Sequence, residues 1–123
     1  MPKESDFQAV FTQLKALLEP YAPRLEVKAD APDNYVLYTH HKRPDGYQFA
    51  FGSVQLKKNY VSYHLIPVYN HPELLEGISP ALRKRMQGKS CFNFKAAEPA
   101  LLEELSELTR RGFEHFRATG WVS

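Results

Sequence analysis

The chain is expected to fold as an α+β domain: a five-stranded antiparallel sheet, in a two-layer sandwich, with its N- and C-terminal helices on one face. Three observations lead there. Both ends carry apolar residues at helical spacing. Between them run short alternating segments rich in aromatic and β-branched residues. The connections between the first four are too short for parallel crossovers, so neighbouring strands must be antiparallel. Each terminal helix shows a single apolar stripe, which needs one sheet face to cover.

The first helix is set by Phe7, Val10, Phe11, Leu14, Leu17 and Leu18, with Ser5 as N-cap and Gln8 completing a capping box. Pro20 and Pro23 end it. Leu25, Val27 and Ala29 then alternate with Glu26, Lys28 and Asp30, as in a strand with one wet face. A turn at Ala31–Asn34 leads to a second strand, Tyr35–His40. Arg43-Pro44-Asp45-Gly46 is a turn in which proline presets φ and glycine accepts positive φ. The third strand spans Tyr47–Leu56, Lys57-Lys58-Asn59 forms a hairpin loop, and the fourth strand spans Tyr60–Ile66.

A short helical turn is expected over Pro72–Glu76, stopped by Gly77. Ser79-Pro80 caps and opens a helix running to Gln87, with Gly88 as its stop. These short helices are expected to cover part of the second sheet face. Ser90–Lys95 reads as the fifth strand, with Phe92 and Phe94 on one face and Cys91, Asn93 and Lys95 on the other. The last helix, Pro99–Ala118, buries Leu101, Leu105, Leu108, Gly112 and Phe116, with Leu102 and Phe113 beside them. Its glutamates lie toward the N-terminus and its arginines toward the C-terminus, complementing the helix dipole. Leu14 and Leu105 are expected to be fully buried.

Composition narrows the function classes. The 123 residues, 43% hydrophobic and 24% charged, suit a single globular domain over 1–123. A net charge of +2 is too balanced to imply nucleic acid, and the central strands carry few basic residues among their aromatics. One cysteine excludes an intramolecular disulfide framework. No apolar run approaches the ~20 residues of a membrane span, and the polar start is not a signal peptide. A cytoplasmic location is therefore expected.

The run from Lys58 through Lys95, with Tyr63-His64-Leu65, Leu74-Leu75-Glu76-Gly77 and Gly88-Lys89-Ser90 as its most specific parts, resembles the YdhG-like family of small bacterial domains. That resemblance implies an α–β5–α layout similar to frataxin, and some members are linked to iron delivery. In frataxin, iron binding uses an acidic ridge on the first helix and first strand. Here the helix from Phe7 to Leu18 carries no carboxylate, so weak iron binding without discrete acidic-ridge sites is expected.

Four chemical constellations remain. The histidines His40, His41, His64, His71 and His115 show no i, i+4 pairing, and His40 and His41 read as solvated turn residues. Glu103, Glu104 and Glu107 share a helix face with arginines, as solvated faces commonly do. Gly88-Lys89-Ser90 mimics the end of a P-loop, but Arg83 occupies the position that requires glycine. Arg83, Lys84, Arg85 and Lys89 cluster as a loose anion site or a solubilising surface; three consecutive residues on a helix fan over about 200°.

The fourth constellation lies on the sheet. If the fourth and fifth strands pair in register, Ser62 and His64 share a face with Cys91 and Asn93, and Lys89 enters from the loop. A thiolate beside an imidazole would be an activated nucleophile; a buried, inert cysteine is the plainer expectation. The leading expectation is a non-enzymatic binding domain for iron or a metabolite. The alternatives are a small enzyme or anion-binding protein using Ser62, His64, Lys89, Cys91 and Asn93, or a protein–protein adaptor. The expected partners are a small anion or metabolite and weakly held iron, without nucleic acid or membrane, in a monomer or homodimer. No cofactor is indicated.

Overall fold

The computed structural model describes residues 4–42, 44–46, 48–88, 90–96 and 98–120. The element order is α1 (Glu4–Leu18), a 3-10 segment (Glu19–Arg24), β1 (Glu26–Ala31), β2 (Asn34–Lys42), β3 (Gln48–Leu56), β4 (Val61–Leu65), α2 (Ile66–Asn70), a 3-10 turn (Pro72–Leu75), α3 (Pro80–Arg83), β5 (Cys91–Phe94) and α4 (Pro99–Ala118). The strands form one antiparallel sheet in the order β1-β2-β3-β4-β5, so each strand lies beside its neighbour in sequence. The chain is thus α+β, as its periodicities predict.

The core is built by the two apolar stripes meeting one sheet face. Leu14 and Leu105 are both 0% exposed, as expected. Helix α1 packs on β3, β4 and α4. Phe51 of β3 sits edge-on to Phe113 and Phe116 of α4, and Tyr21 from the 3-10 segment stacks on Phe113. In the centre, the hydroxyls of Tyr63 and Thr109 join β4 to α4 at 2.6 Å. Gly46 has φ of +92°, as the Pro-Asp-Gly turn requires.

The structure departs from the expectations at several places. Ser5 lies inside α1, which already includes Glu4, so it does not mark the helix boundary. Its hydroxyl, Arg43, Tyr47 and the His41 side chain lie outside the described residues. The Gln8 amide donates to Pro32 O at 2.9 Å, tying α1 to the β1–β2 turn. The α-helix ends at Leu18, just before Pro20, as expected, but the chain continues through both prolines as the 3-10 segment.

The expected alternation fails in β1. A register shift between Val27 and Ala29 places Asp30 opposite buried Tyr35, on the helix-facing side, where Lys15 Nζ meets its carboxylate at 2.8 Å. One extra residue in a bulge moves every later side chain to the other face. Val27, before the shift, still pairs with buried Leu37, but on the edge strand it is 46% exposed. A second bulge, at Phe51 in β3, puts Phe51 and Gly52 both among the buried residues.

The fourth strand stops at Leu65, and Ile66–Asn70 turns into α2 with Pro67 in its first turn, where a missing N–H costs nothing. The helix expected to reach Gln87 ends at Arg83. Beyond it, Arg85–Gln87 pairs along the outer edge of β5: Asn93 N–H donates to Arg85 O at 2.7 Å and Gln87 N–H to Cys91 O at 2.9 Å. The short helices do not cover the second sheet face. Helices α2 and α3 and the Pro72–Leu75 turn pack on α4, and their Val68, Leu82 and Leu74 join the main core.

Candidate functional site

The register of β3, β4 and β5 is regular, and it assembles the face that the alternation of Phe92 and Phe94 predicts. Ser62 pairs with Asn93 and His64 with Cys91, while Tyr63 and Phe92 fall on the buried side. The ladder continues into β3 and β2: Ser62 faces Gln55 and Gln55 faces Asn34, while His64 faces Ser53. Two transverse rows result, Asn34–Gln55–Ser62–Asn93 and Ser53–His64–Cys91. All seven residues are half-buried and uncharged or, for His64, neutral by environment. Ser62, His64, Cys91 and Asn93 therefore share a face; Lys89 lies outside the described residues.

His64 is held by Ser90. Its Nε2 lies 2.6 Å from Ser90 Oγ, and Ser90 is itself buried, its carbonyl accepting from Leu65 N–H. Burial lowers the His64 pKa, so the imidazole is not a cation poised beside a thiolate. Among the described residues, His64 and Cys91 share no hydrogen bond although they are cross-strand partners. The thiol–imidazole arrangement thus has the shared face but not the contact that activation requires.

The polar face runs out at β5 into a cleft of about 460 Å³ lined by Asn93, Tyr60, Lys84, Gln87, Lys95 and the Arg85–Glu98 pair. The pair is two-pronged, with Nε to Oε2 at 2.8 Å and Nη2 to Oε1 at 2.7 Å. These bonds hold the Glu98 carboxyl below its usual range. The basic cluster divides where α3 ends, at Arg83. Arg83 turns the other way and donates to Leu75 O at 2.7 Å, leaving Lys84 and Arg85 at the cleft.

The glutamate row on α4 is also divided. Glu104 accepts from Ser79 N–H at 2.6 Å and from Ser79 Oγ at 2.7 Å, while Ser79 Oγ caps α3 by accepting from Leu82 N–H. Glu107 is paired with Arg110. Nothing in sequence spacing brings together a further group, His71, Glu73 and His115, which meet where α2 ends against α4. His40, by contrast, lies within β2 rather than in a turn, although its side chain is 63% exposed, as expected. Among the described residues no helix is long and apolar enough to cross a membrane, and only Val27 and Tyr69 are exposed large hydrophobics. No family model matches the chain, and no curated protein or solved structure is significantly similar to it.

Proposed function

We infer that the protein is a small binding domain for an anionic metabolite, held at the β5 end of its polar sheet face. The overall arrangement in this reading is the two-layer, frataxin-like one that the YdhG-like resemblance implies. The observation that carries it is the charge of the cleft. Lys84 and Lys95 line it and make no ion pair among the described residues, whereas Glu98, the one carboxylate in the lining, is already taken by Arg85. Two free ammonium groups beside the Asn93 amide and the Tyr60 phenol suit a small carboxylate or phosphate ester. The volume, about 460 Å³, falls within the usual range of ligand pockets.

The test is a thermal-shift titration at constant ionic strength with inorganic phosphate and citrate as probes. A ligand preferring the folded state raises stability by about 2.7 kcal/mol at a hundred times its dissociation constant. A saturable rise with at least one probe is expected, abolished in the Lys84→Gln/Lys95→Gln variant. Absence of any saturable rise, or an equal rise in that variant, refutes the proposal.

A further inference from the structure

His71 closes α2 and is the hinge between that helix and the Pro72–Leu75 turn. Its backbone is fixed on both sides: the N–H donates to Pro67 O at 2.8 Å, and the carbonyl accepts from Leu74 N–H at 3.0 Å. Glu73 follows two residues later, its Oε1 3.5 Å from His71 Nδ1. His115 arrives from the end of α4, with its ring centroid 4.8 Å from that of His71 and the planes inclined by 48°. One donor atom from each of the three residues lies within 4.8 Å of the other two.

The meeting has a structural cause. Gly112, one turn before His115, carries no side chain, and Pro67 of α2 fills the space. A Cβ at position 112 would stand 2.8 Å from Pro67 Cβ. That close seat brings the end of α2, and hence His71, onto α4 at the level of His115. Phe116 flanks the His71 ring at 6.5 Å and forms an apolar wall behind it.

A second observation points to a ligand. His71 Nε2 is buried and has no hydrogen-bond partner among the described residues. A buried polar atom left unpaired costs about 1–3 kcal/mol, and such atoms call for an unseen partner, an ion or a water. Two imidazoles and a carboxylate are the donor set of three-ligand zinc sites, which leave a fourth position open. Nitrogen donors also select first-row transition metals over magnesium and calcium. In a tetrahedral zinc site with bonds near 2.0–2.1 Å, neighbouring donors stand about 3.3 Å apart. The 3.5 Å between His71 and Glu73 is measured from His71 Nδ1, and one imidazole meets an ion through a single nitrogen, so ligation through the buried Nε2 requires Glu73, 55% exposed, to swing round the ring.

We propose that His71, Glu73 and His115 bind a borderline divalent cation, Zn²⁺ in the first instance, at the junction of α2 and α4. The ion clamps α2 and the following turn to α4 and presents one open coordination position to solvent or to a small ligand. This goes beyond anion binding at the β5 cleft and uses none of its residues.

The experiment is calorimetric titration of the tag-free, metal-free full chain with Zn²⁺ in phosphate-free buffer, with Co²⁺ visible absorption reporting the ligand set. One equivalent is expected to bind. His115→Gln and His71→Gln should each weaken binding about tenfold or more and change the Co²⁺ bands, with Glu73→Gln weakening it by about tenfold. His40→Gln and Lys84→Gln should bind as the natural chain does, which separates this test from that of the anion cleft. Circular dichroism without metal identifies any variant that fails to fold; His115 is half-buried, and Glu73, 55% exposed, is the position at which glutamine is best tolerated. The proposal is overturned if the natural chain binds no stoichiometric Zn²⁺ or if a folded His115→Gln variant binds it equally well.

Discussion

The hydroxyl pair between Tyr63 and Thr109 makes an asymmetric prediction. Both residues are 0% exposed, and their oxygens lie 2.6 Å apart. Thr109 Oγ1 also donates to Leu105 O, one turn back on α4, at 2.8 Å. A hydroxyl has one proton, so the threonine proton is spent on the helix and the Tyr63 phenol must be the donor. Burial raises the Tyr63 pKa well above the usual phenol range, which keeps that proton in place.

Removing the acceptor therefore costs more than removing the donor. Thr109→Val preserves shape and has nearly the same helix propensity, but it strands the buried Tyr63 hydroxyl, a loss of about 1–3 kcal/mol. Tyr63→Phe leaves Thr109 still donating to Leu105, a loss of about 0.5–1.5 kcal/mol. The double variant has neither group to strand and should cost less than the sum, with a coupling of about 1 kcal/mol. Urea unfolding at 25 °C reads all three as midpoint shifts at constant slope. If Tyr63→Phe costs more than Thr109→Val, or the two costs simply add, the assigned direction of the bond is wrong.

Gly112→Ala should destabilise the chain. The gain of about 1 kcal/mol in helix propensity is outweighed by about 1–3 kcal/mol of overpacking against the stiff Pro67 ring, and a thermal midpoint at or above that of the natural chain would contradict the close seat. His64 should make stability depend on pH. Its folded pKa lies below the ordinary 6.5, so the unfolded chain binds the proton more readily. The contribution is fully present above that ordinary value and is lost as pH falls from it through the folded pKa. Urea midpoints measured from pH 8 to pH 5 should fall with acidification, and His64→Gln should flatten that slope; an unchanged slope removes the assignment.

How far the fold was legible depends on how local each signal is. Phe92 and Phe94 alternate with Cys91 and Asn93, and Val61, Tyr63 and Leu65 with Ser62 and His64, so two strands declare their faces without reference to anything distant. The β3–β5 ladder has no bulge beside these residues, and the inference from period two holds. In β1 the same inference breaks at one register shift, because nothing in Val27-Lys28-Ala29 marks the extra residue. The run Leu65-Ile66-Pro67-Val68 is apolar throughout and does not separate strand from helix by periodicity. Pro67 was the available sign, since proline is favoured in the first turn of a helix.

The two sites differ in the same way. The face each strand presents is a consequence of alternation, a short-range property, so its members on β4 and β5 could be named from sequence. Their meeting, however, rests on a pairing of two strands separated by residues 66–90. The cluster of His71, Glu73 and His115 depends on where one helix lies against another, and neither histidine has a partner at a helical spacing. Its trace in the sequence is indirect. Gly112 interrupts a stripe of leucines and phenylalanines on a helix interior, where glycine costs about 1 kcal/mol relative to alanine. A cost of that size in a buried stripe implies that something must approach the backbone there. What approaches is Pro67, and the helix that carries it ends in His71. The glycine is thus the sequence feature that couples the packing of α2 to the geometry of the cluster.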